Sequence, residues 1–270
     1  MRIEHLFCDM DGTLLRSDGT LSERNQRTIL ACAIPFTLVS ARSPMEMTAT
    51  MRQLNLTGPQ VAYNGGLIFQ LDGTILKESA MDTQTAYKVL DILAREFSEM
   101  SVHYYDRDTW YTDRLDDGTR LEMQATGLTP VWSDYVTFCQ NKTHRVFKIM
   151  LIGFDSERLS QAKKRLDALN LGIHVHQSTS TYMEITAADA TKAKGIEWIL
   201  TQNGMSVSNA AAFGDGYNDV PMLSYVHHSV AMGNAPQDIQ ALCRYITATN
   251  NEDGVAQWME NYLLNCEEEK

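Results

Sequence analysis

The stretch IEHLFCDMDGT, residues 3–13, joins a short and mostly apolar run to two closely spaced aspartates, a glycine and a threonine. The run from Ile3 to Cys8 predicts a buried strand, and the polar residues after it predict a loop. The carboxylates of Asp9 and Asp11 are therefore expected at the carboxyl end of that strand. Taken alone, this pair is equally compatible with an ordinary surface turn, because Asp-Gly is common turn chemistry.

The next segment predicts a second strand parallel to the first. Ser22 can cap a helix through about Ala33, and residues 34–39 form another apolar run. Strand, helix and strand in this order are typical of a parallel sheet. The second strand ends at Ser40-Ala41-Arg42, so these residues are expected at the same edge of the sheet as Asp9.

A helix start follows at Ser43-Pro44-Met45-Glu46, which is a capping box with proline at the first helical position. Backbone N–H groups at a helix start attract anions. Together with the Ser40 hydroxyl and the Ala41 amide, this helix start predicts a phosphate-binding position.

A second acidic cluster, Asp215-Gly216-Tyr217-Asn218-Asp219, follows an apolar run at residues 210–213. Ligands bind at the carboxyl edge of open parallel sheets. Asp9, Asp11 and Asp215 would there supply the hard oxygen ligands that magnesium prefers. A purely structural role for all three is disfavoured, because desolvating a bare carboxylate cluster is costly without a compensating ion.

The pattern of elements changes between Asp82 and Thr186, where helices and paired strands replace the strict alternation of strand and helix. We therefore predict an α/β fold with a doubly wound, Rossmann-like parallel-sheet core and an inserted α+β domain. The core would comprise residues 1–82 and 187–270, and the insert residues 83–186.

The insert offers only weaker candidates for a functional site. A predicted hairpin at residues 102–113 carries four aromatic side chains, which we assign mostly to the core of the insert. His174 and His176 alternate on one predicted strand and so face the same side. We interpret them as a surface pair in preference to a metal site.

Composition excludes several classes of function. A formal net charge of −11 argues against binding of a nucleic-acid backbone, which requires clustered Lys and Arg. The amino terminus predicts neither a signal peptide nor a membrane span, so we expect a cytoplasmic protein without membrane or nucleic-acid partners. The five cysteines show no C-x-x-C spacing and are expected to be reduced thiols.

With these residues in place, the chain resembles the haloacid dehalogenase (HAD) superfamily, and within it the Cof-type phosphatases of subclass IIB, which carry a large α/β cap. The motifs that match, in chain order, are Asp9-Met10-Asp11-Gly12-Thr13, Ser40, Lys192 and Gly214-Asp215-Gly216-Tyr217-Asn218-Asp219. The resemblance covers almost the whole chain through three further stretches: Asn64-Gly65-Gly66, Ala231-Met232-Gly233-Asn234 and Asn251-Glu252-Asp253-Gly254-Val255.

Two motifs depart from the commonest family pattern. The second is often Thr-Gly-Arg and here is Ser40-Ala41-Arg42, which keeps the hydroxyl and the backbone amide, so phosphate binding is still expected. The third is often Lys-Gly and here is Lys192-Ala193, with another lysine at Lys194. The motif spacing favours Lys192 as the interior lysine, and ordinary burial preferences place Lys194 in solvent.

The resemblance implies a magnesium-dependent phosphohydrolase that acts on a small phosphorylated metabolite, such as a sugar phosphate, and is a monomer or a weak homo-oligomer. Asp9 would attack phosphorus, while Asp11 would protonate the leaving alcohol and then activate water. The Asp9 side chain, the Asp11 carbonyl and Asp215 would hold Mg²⁺, which offsets the repulsion between nucleophile and phosphate.

The resemblance also implies roles for the remaining motif residues. The phosphate-binding residues would be Met10, Ser40, Ala41, Lys192 and Asn218, and the supporting residues would be Asp219, Arg42 and Asn64. Asp219 is expected to support Lys192 or metal-bound water in preference to binding the metal directly. The insert would act as the substrate-specificity cap.

Two other readings remain open. A phosphotransferase or phosphosugar mutase would use the same aspartyl-phosphate with a different acceptor. A non-catalytic phospho-ligand binding protein could keep the fold, although such a relative would more readily have lost Asp9 or Asp11.

Overall fold

The computed structural model describes residues 2–264, and Cys266 lies outside this range. The chain splits into two compact units, a core unit of Met1–Lys77 and Thr191–Lys270 and an inserted unit of Glu78–Ala190. This division falls near residues 77 and 190, whereas the sequence pattern placed it near 82 and 186. No helix among residues 2–264 is both long enough and apolar enough to cross a membrane.

The first segment of the core unit alternates strands and helices. Its elements are β1 (His5–Cys8), α1 (Glu23–Ala31), β2 (Phe36–Leu38), α2 (Pro44–Gln53), β3 (Gln60–Ala62), β4 (Leu67–Phe69) and β5 (Ile75–Glu78). Both predicted helix starts are confirmed. Ser22 caps α1 by accepting a hydrogen bond from the Asn25 amide, and Ser43 and Glu46 form the capping box of α2.

The inserted unit contains four helices and six strands among its described residues. They are α3 (Thr83–Glu96), β6 (Ser101–Tyr105), β7 (Trp110–Thr112), α4 (Asp117–Thr126), β8 (Val131–Trp132), α5 (Tyr135–Gln140), β9 (Lys148–Ile152), α6 (Ser156–Asp167), β10 (Ile173–Gln177) and β11 (Tyr182–Ala187).

The second segment of the core unit returns to alternation. Its elements are α7 (Lys192–Gln202), β12 (Ala210–Gly214), α8 (Val220–Tyr225), β13 (His228–Ala231), α9 (Gln237–Leu242), β14 (Tyr245–Ile246) and α10 (Gly254–Met259).

The core sheet is parallel and has the strand order β14-β13-β12-β1-β2. β1 pairs with β2 on one side and with β12 on the other, so the chain winds away from β1 in both directions. Cys8 lies opposite both Leu38 and Phe213, which aligns the carboxyl ends of these three strands. Ligand sites form where a parallel sheet reverses its winding in this way. The predicted doubly wound core is confirmed.

All four residues of β1 are buried, as expected for a strand covered on both faces by helices. On one face, Phe7 joins a cluster with Ile196 and Ile199 of α7. Burying apolar area contributes about 25 cal/mol per Å², so this packing holds the strand ends in a fixed position.

The inserted unit is built on a separate sheet with the order β10-β11-β9-β6-β7-β8, antiparallel except where β7 meets β8. One face of this sheet is apolar and joins α3, α5 and α6 in a single hydrophobic cluster. β6 and β7 form the predicted antiparallel hairpin. Three of its four aromatic side chains are buried as predicted, since Tyr104, Tyr105 and Trp110 are each 2% exposed. His174 and His176 lie on one face of β10, with their rings stacked 6.4 Å apart.

Several short elements escaped prediction, and one helix is shorter than its apolar pattern. β8 and β14 have two residues each, which is too few for a periodic signal. α3 ends at Glu96, although the apolar pattern continues to Met100, because Phe97 and Met100 leave the helix and pack in the hydrophobic cluster.

Candidate functional site

Asp9 lies at the end of β1 with its carboxylate buried beside a lysine. The Asp9 amide donates to the Phe213 carbonyl at 3.0 Å, which extends the β1–β12 pairing by one residue. The Lys192 Nζ lies 2.5 Å from Asp9 Oδ1 and 2.5 Å from Asp219 Oδ1. Lys192 is the first residue of α7, and its side chain is fully buried, whereas Lys194 is exposed. The structure therefore brings three predicted residues into one ion cluster.

The electrostatics of this cluster are dominated by negative charge. Burial raises the pKa of the Asp9 carboxyl, the Asp219 carboxylate raises it further, and Lys192 opposes the rise. Burial by itself would lower the pKa of Lys192, but Asp219 and Asp9 raise it overall, so the ammonium stays charged. One buried cation thus faces two buried carboxylates, and a further positive charge near them would be stabilised.

Asp215 adds a third carboxylate at the end of β12. Single oxygens of Asp9, Asp215 and Asp219 lie within 4.8 Å of one another. The pKa of Asp215 is raised to about 6, mainly by burial, and the hydrogen bond from Thr13 Oγ1 to Asp215 Oδ1, at 2.8 Å, opposes this rise. A Cβ on Gly12, where φ is +77°, would lie 2.3 Å from Asp215 Oδ2, so only glycine leaves room for this carboxylate.

This donor set fits a hard divalent cation. Carboxylate oxygens are the ligands that Mg²⁺ and Ca²⁺ prefer, and the cluster carries more negative charge than Lys192 neutralises. Asp219 is the member least available for a metal, because its Oδ1 accepts from Lys192 and its Oδ2 accepts from the amides of Asp215 and Gly216, both at 2.9 Å. The structure therefore places Asp219 against Lys192, the residue that it was predicted to support.

Asp11 lies apart from the buried carboxylates. Its side chain is 58% exposed and pairs with Arg42 through two bonds, Nε to Oδ2 at 2.8 Å and Nη2 to Oδ1 at 2.6 Å. This bidentate geometry holds the carboxylate in one orientation at the solvent side of the site. Arg42 is thereby joined to the predicted acid–base residue.

The Ser40 segment lies beside the start of α2, as the capping box predicted. Ser40 is 1% exposed, and its Oγ accepts from the Arg42 amide at 3.1 Å. Asn218 Nδ2 donates to Asn64 Oδ1 at 3.2 Å. The side chain of Met10 is fully buried, so Met10 can contact a ligand at this edge only through its backbone. The Met10 carbonyl already accepts a hydrogen bond from the Leu15 amide at 2.8 Å.

Sequence reasoning assigned no role to two residues that contact the site. Thr13 donates to Asp215, as described above. Asn234 Nδ2 donates to the Gly12 carbonyl at 2.8 Å and to Asp215 Oδ2 at 3.3 Å, while its Oδ1 accepts from the Asn250 amide at 3.0 Å. Both residues lie in stretches that match the family, and this match was the signal that could have identified them. No local pattern predicts the contacts of Thr13 with Asp215 and of Asn234 with Gly12, because each pair is more than 200 positions apart in the sequence.

Comparison with known proteins identifies the family to which this chain is similar. The family model of the haloacid dehalogenase-like hydrolases matches residues 6–259. A putative phosphatase of Haemophilus influenzae is 28% identical, with 96% of this chain and 98% of that protein covered. The 5-amino-6-(5-phospho-D-ribitylamino)uracil phosphatase YitU of Bacillus subtilis is 27% identical, with 94% and 96% covered. A haloacid dehalogenase-like hydrolase of Bacteroides thetaiotaomicron, solved by crystallography, superposes with a TM-score of 0.87 at 27% identity, covering 96% of this chain and 99% of that one.

Proposed function

This chain belongs to the haloacid dehalogenase-like hydrolases and is a phosphatase of that family, and we propose that it hydrolyses small phosphomonoesters through an aspartyl-phosphate on Asp9. The observation that carries this proposal is the buried Asp9 carboxylate, held at the end of β1 by Lys192 and flanked by Asp215. A carboxylate used only for structure would not need a second and a third carboxylate so close to it.

In the first step, an Asp9 oxygen attacks phosphorus and the bond from phosphorus to the leaving oxygen breaks. The leaving oxygen takes a proton from Asp11, so a neutral alcohol departs. Lys192, Ser40 and Asn218 bind the phosphoryl oxygens, where negative charge accumulates in the transition state.

In the second step, water attacks phosphorus and Asp11 accepts a proton from it. The bond from phosphorus to the Asp9 oxygen breaks, which releases phosphate and restores the carboxylate. Arg42 orients the Asp11 carboxylate for this second step through its bidentate contact. Because Asp11 is exposed, it can reach a leaving group that approaches from the solvent side.

The cation in this proposal is magnesium. Asp9, Asp215 and the Asp11 carbonyl would hold it, and when bound it would neutralise charge between the anionic nucleophile and the anionic phosphate. Thr13 donates to Oδ1 of Asp215 and Asn234 donates to Oδ2, so the carboxylate is held in one orientation. It would therefore need little reorganisation to bind the cation.

The proposed substrate is a phosphorylated sugar or a related small metabolite. Three relatives from Bacillus subtilis are named for a phosphorylated ribityl compound, which is a sugar-alcohol phosphate. The groups described in the core unit bind phosphate and metal alone, so we propose that selectivity for the rest of the substrate comes from the inserted unit.

The proposal is tested by incubating the purified protein with a panel of phosphomonoesters and magnesium. We expect release of inorganic phosphate, and we expect ³²P from a labelled substrate to be trapped on Asp9 after acid quenching. A new phosphoester in the presence of added alcohols, with little free phosphate, would identify a phosphotransferase instead. Phosphate release without any label on Asp9 would contradict the covalent step.

A further inference from the structure

The turn Tyr63-Asn64-Gly65 contains three consecutive residues in the left-handed backbone region, with φ values of 52°, 55° and 105°. In L residues this conformation crowds Cβ against the carbonyl oxygen, so it is unfavourable for tyrosine and tolerated by asparagine. Such backbone persists only where the surrounding structure over-determines it. Tyr63 meets that condition, since its side chain is fully buried.

The backbone of the turn holds the segment that contains Ser40. The Asn64 amide donates to the Ser40 carbonyl at 2.8 Å, and the Tyr63 amide donates to the Arg42 carbonyl at 3.0 Å. Because both bonds come from left-handed residues, a turn with ordinary φ values would aim these amides elsewhere. The position of the Ser40 segment thus depends on the unusual conformation.

The same turn contacts the two other phosphate-binding segments. A Cβ on Gly65 would lie 2.2 Å from the Thr191 carbonyl oxygen, so the turn packs directly on the residue that caps the helix of Lys192. Asn64 Oδ1 accepts the hydrogen bond from Asn218 Nδ2. One N–H of Asn218 Nδ2 is used in this bond, so the second N–H of the same carboxamide points in one defined direction.

We propose that the Tyr63–Gly65 turn is a positioning element that sets the spacing of Ser40, Lys192 and Asn218, with Asn64 orienting the Asn218 carboxamide toward phosphate. This inference rests on the proposed function and deepens it. The left-handed conformation places one turn against all three segments, and loss of the Asn64 carboxamide loosens the phosphate pocket without destabilising the fold.

The test is Asn64→Gly, which accepts the left-handed backbone without strain and removes the acceptor for Asn218. We expect an unfolding midpoint equal to that of the unchanged protein or higher by up to about 4 °C. We expect kcat/KM for a phosphomonoester to fall about tenfold, as for loss of one hydrogen bond. Affinity for inorganic phosphate, measured by calorimetry with magnesium present, should weaken by a similar factor.

Asn55→Gly is the matched control, because Asn55 is exposed and also left-handed, with φ 51°, but follows the end of α2. It should show the same small change in unfolding midpoint and unchanged kcat/KM. The inference is overturned if Asn64→Gly keeps full phosphate affinity, or if it loses stability together with activity, which would indicate a purely structural role. If the unchanged protein cleaves no phosphomonoester, the proposed function fails, and the phosphate-binding comparison still decides the role of the turn.

Discussion

Each unit of the molecule contains one buried lysine among its described residues, and the two lysines have different surroundings. Lys192 in the core unit contacts two carboxylates, Asp9 and Asp219, at 2.5 Å each. Lys148 in the inserted unit lies 3.4 Å from Glu184 Oε1 and 4.6 Å from the centre of the Tyr105 ring. Both ammonium groups are buried, but the contacts of Lys192 with its carboxylates are shorter.

The difference follows from position in the sheet. Lys148 stands on β9 and reaches Glu184 on the neighbouring strand β11, so the pair is a cross-strand contact supported by an aromatic ring. Lys192 stands at a helix start beside strand ends, where Asp215 adds further negative charge. The comparison teaches that convergence of strand ends, more than burial of charge, distinguishes the candidate site from a supporting ion pair.

The strongest way to break this comparison is Asp9→Asn, which removes the proposed nucleophile with almost no change in volume. Turnover should fall by at least about a thousandfold, as for removal of a covalent catalyst. Glu184→Gln is the control in the inserted unit and should leave cleavage of a small generic ester within about threefold. Phosphate release by Asp9→Asn above a thousandth of the normal rate would argue against a covalent role.

The next effect in size is removal of the cation. Excess chelator should abolish phosphate release, and magnesium should restore it. Calcium should restore little, because its looser and larger ligand shell lets Asp9 bind through both oxygens and spoils its attack. The measurement is activity against free metal concentration, and full activity in excess chelator would refute the metal site.

Matched lysine substitutions sharpen the comparison directly. Lys192→Met should lower kcat about a hundredfold or more, because it removes charge at the phosphoryl oxygens. Lys148→Met should change the rate with a generic ester by less than about threefold. Its main expected effect is a loss of about 3 kcal/mol in the free energy of unfolding, since Glu184 stays buried without its ammonium partner. Equal losses of kcat would show that the two lysines are not functionally distinct.

The smallest effect is expected at Asn234, which acts through Asp215. Asn234→Ala should weaken magnesium binding about tenfold, as for one lost hydrogen bond to a ligand. Binding should be measured by calorimetry without substrate, so that turnover does not enter the result. Asn251→Ala is the control, because Asn251 lies in the same region and its side chain bonds to Ser17, through Oδ1 at 3.0 Å and Nδ2 at 2.9 Å. Equal magnesium affinity in both variants would remove Asn234 from the metal site.

The fold and the family were predictable because their signals are local. A buried run that ends in Asp9-Met10-Asp11, and the capping box at Ser43–Glu46, each lie within a few residues, and the structure confirms the strand and the helix start. The alternation of strands and helices along the sequence then predicted a parallel sheet, which the structure contains.

The contacts of the site were not predictable, because they join distant positions. Thr13 meets Asp215 across 202 positions, and the orientation of each side chain depends on packing that one sequence does not show. The bidentate contact between Arg42 and Asp11 likewise depends on how the ends of β1 and β2 align. Left-handed φ at Tyr63 has no local signal at all, since tyrosine rarely adopts it.

The pairing of β1 with β12 has a consequence for the time course of synthesis. Asp9 and its partner Lys192 are separated by 183 positions, and the whole inserted unit lies between them. At about 5–20 residues per second, a ribosome needs roughly 10–40 s to extend the chain from one to the other. During that interval β1 has only β2 as a neighbour, and its other edge stays unpaired. The sheet edge that carries Asp9 and Asp215 is therefore assembled late, after the inserted unit has had time to fold, and nascent chains should depend on chaperones until α7 and β12 have emerged.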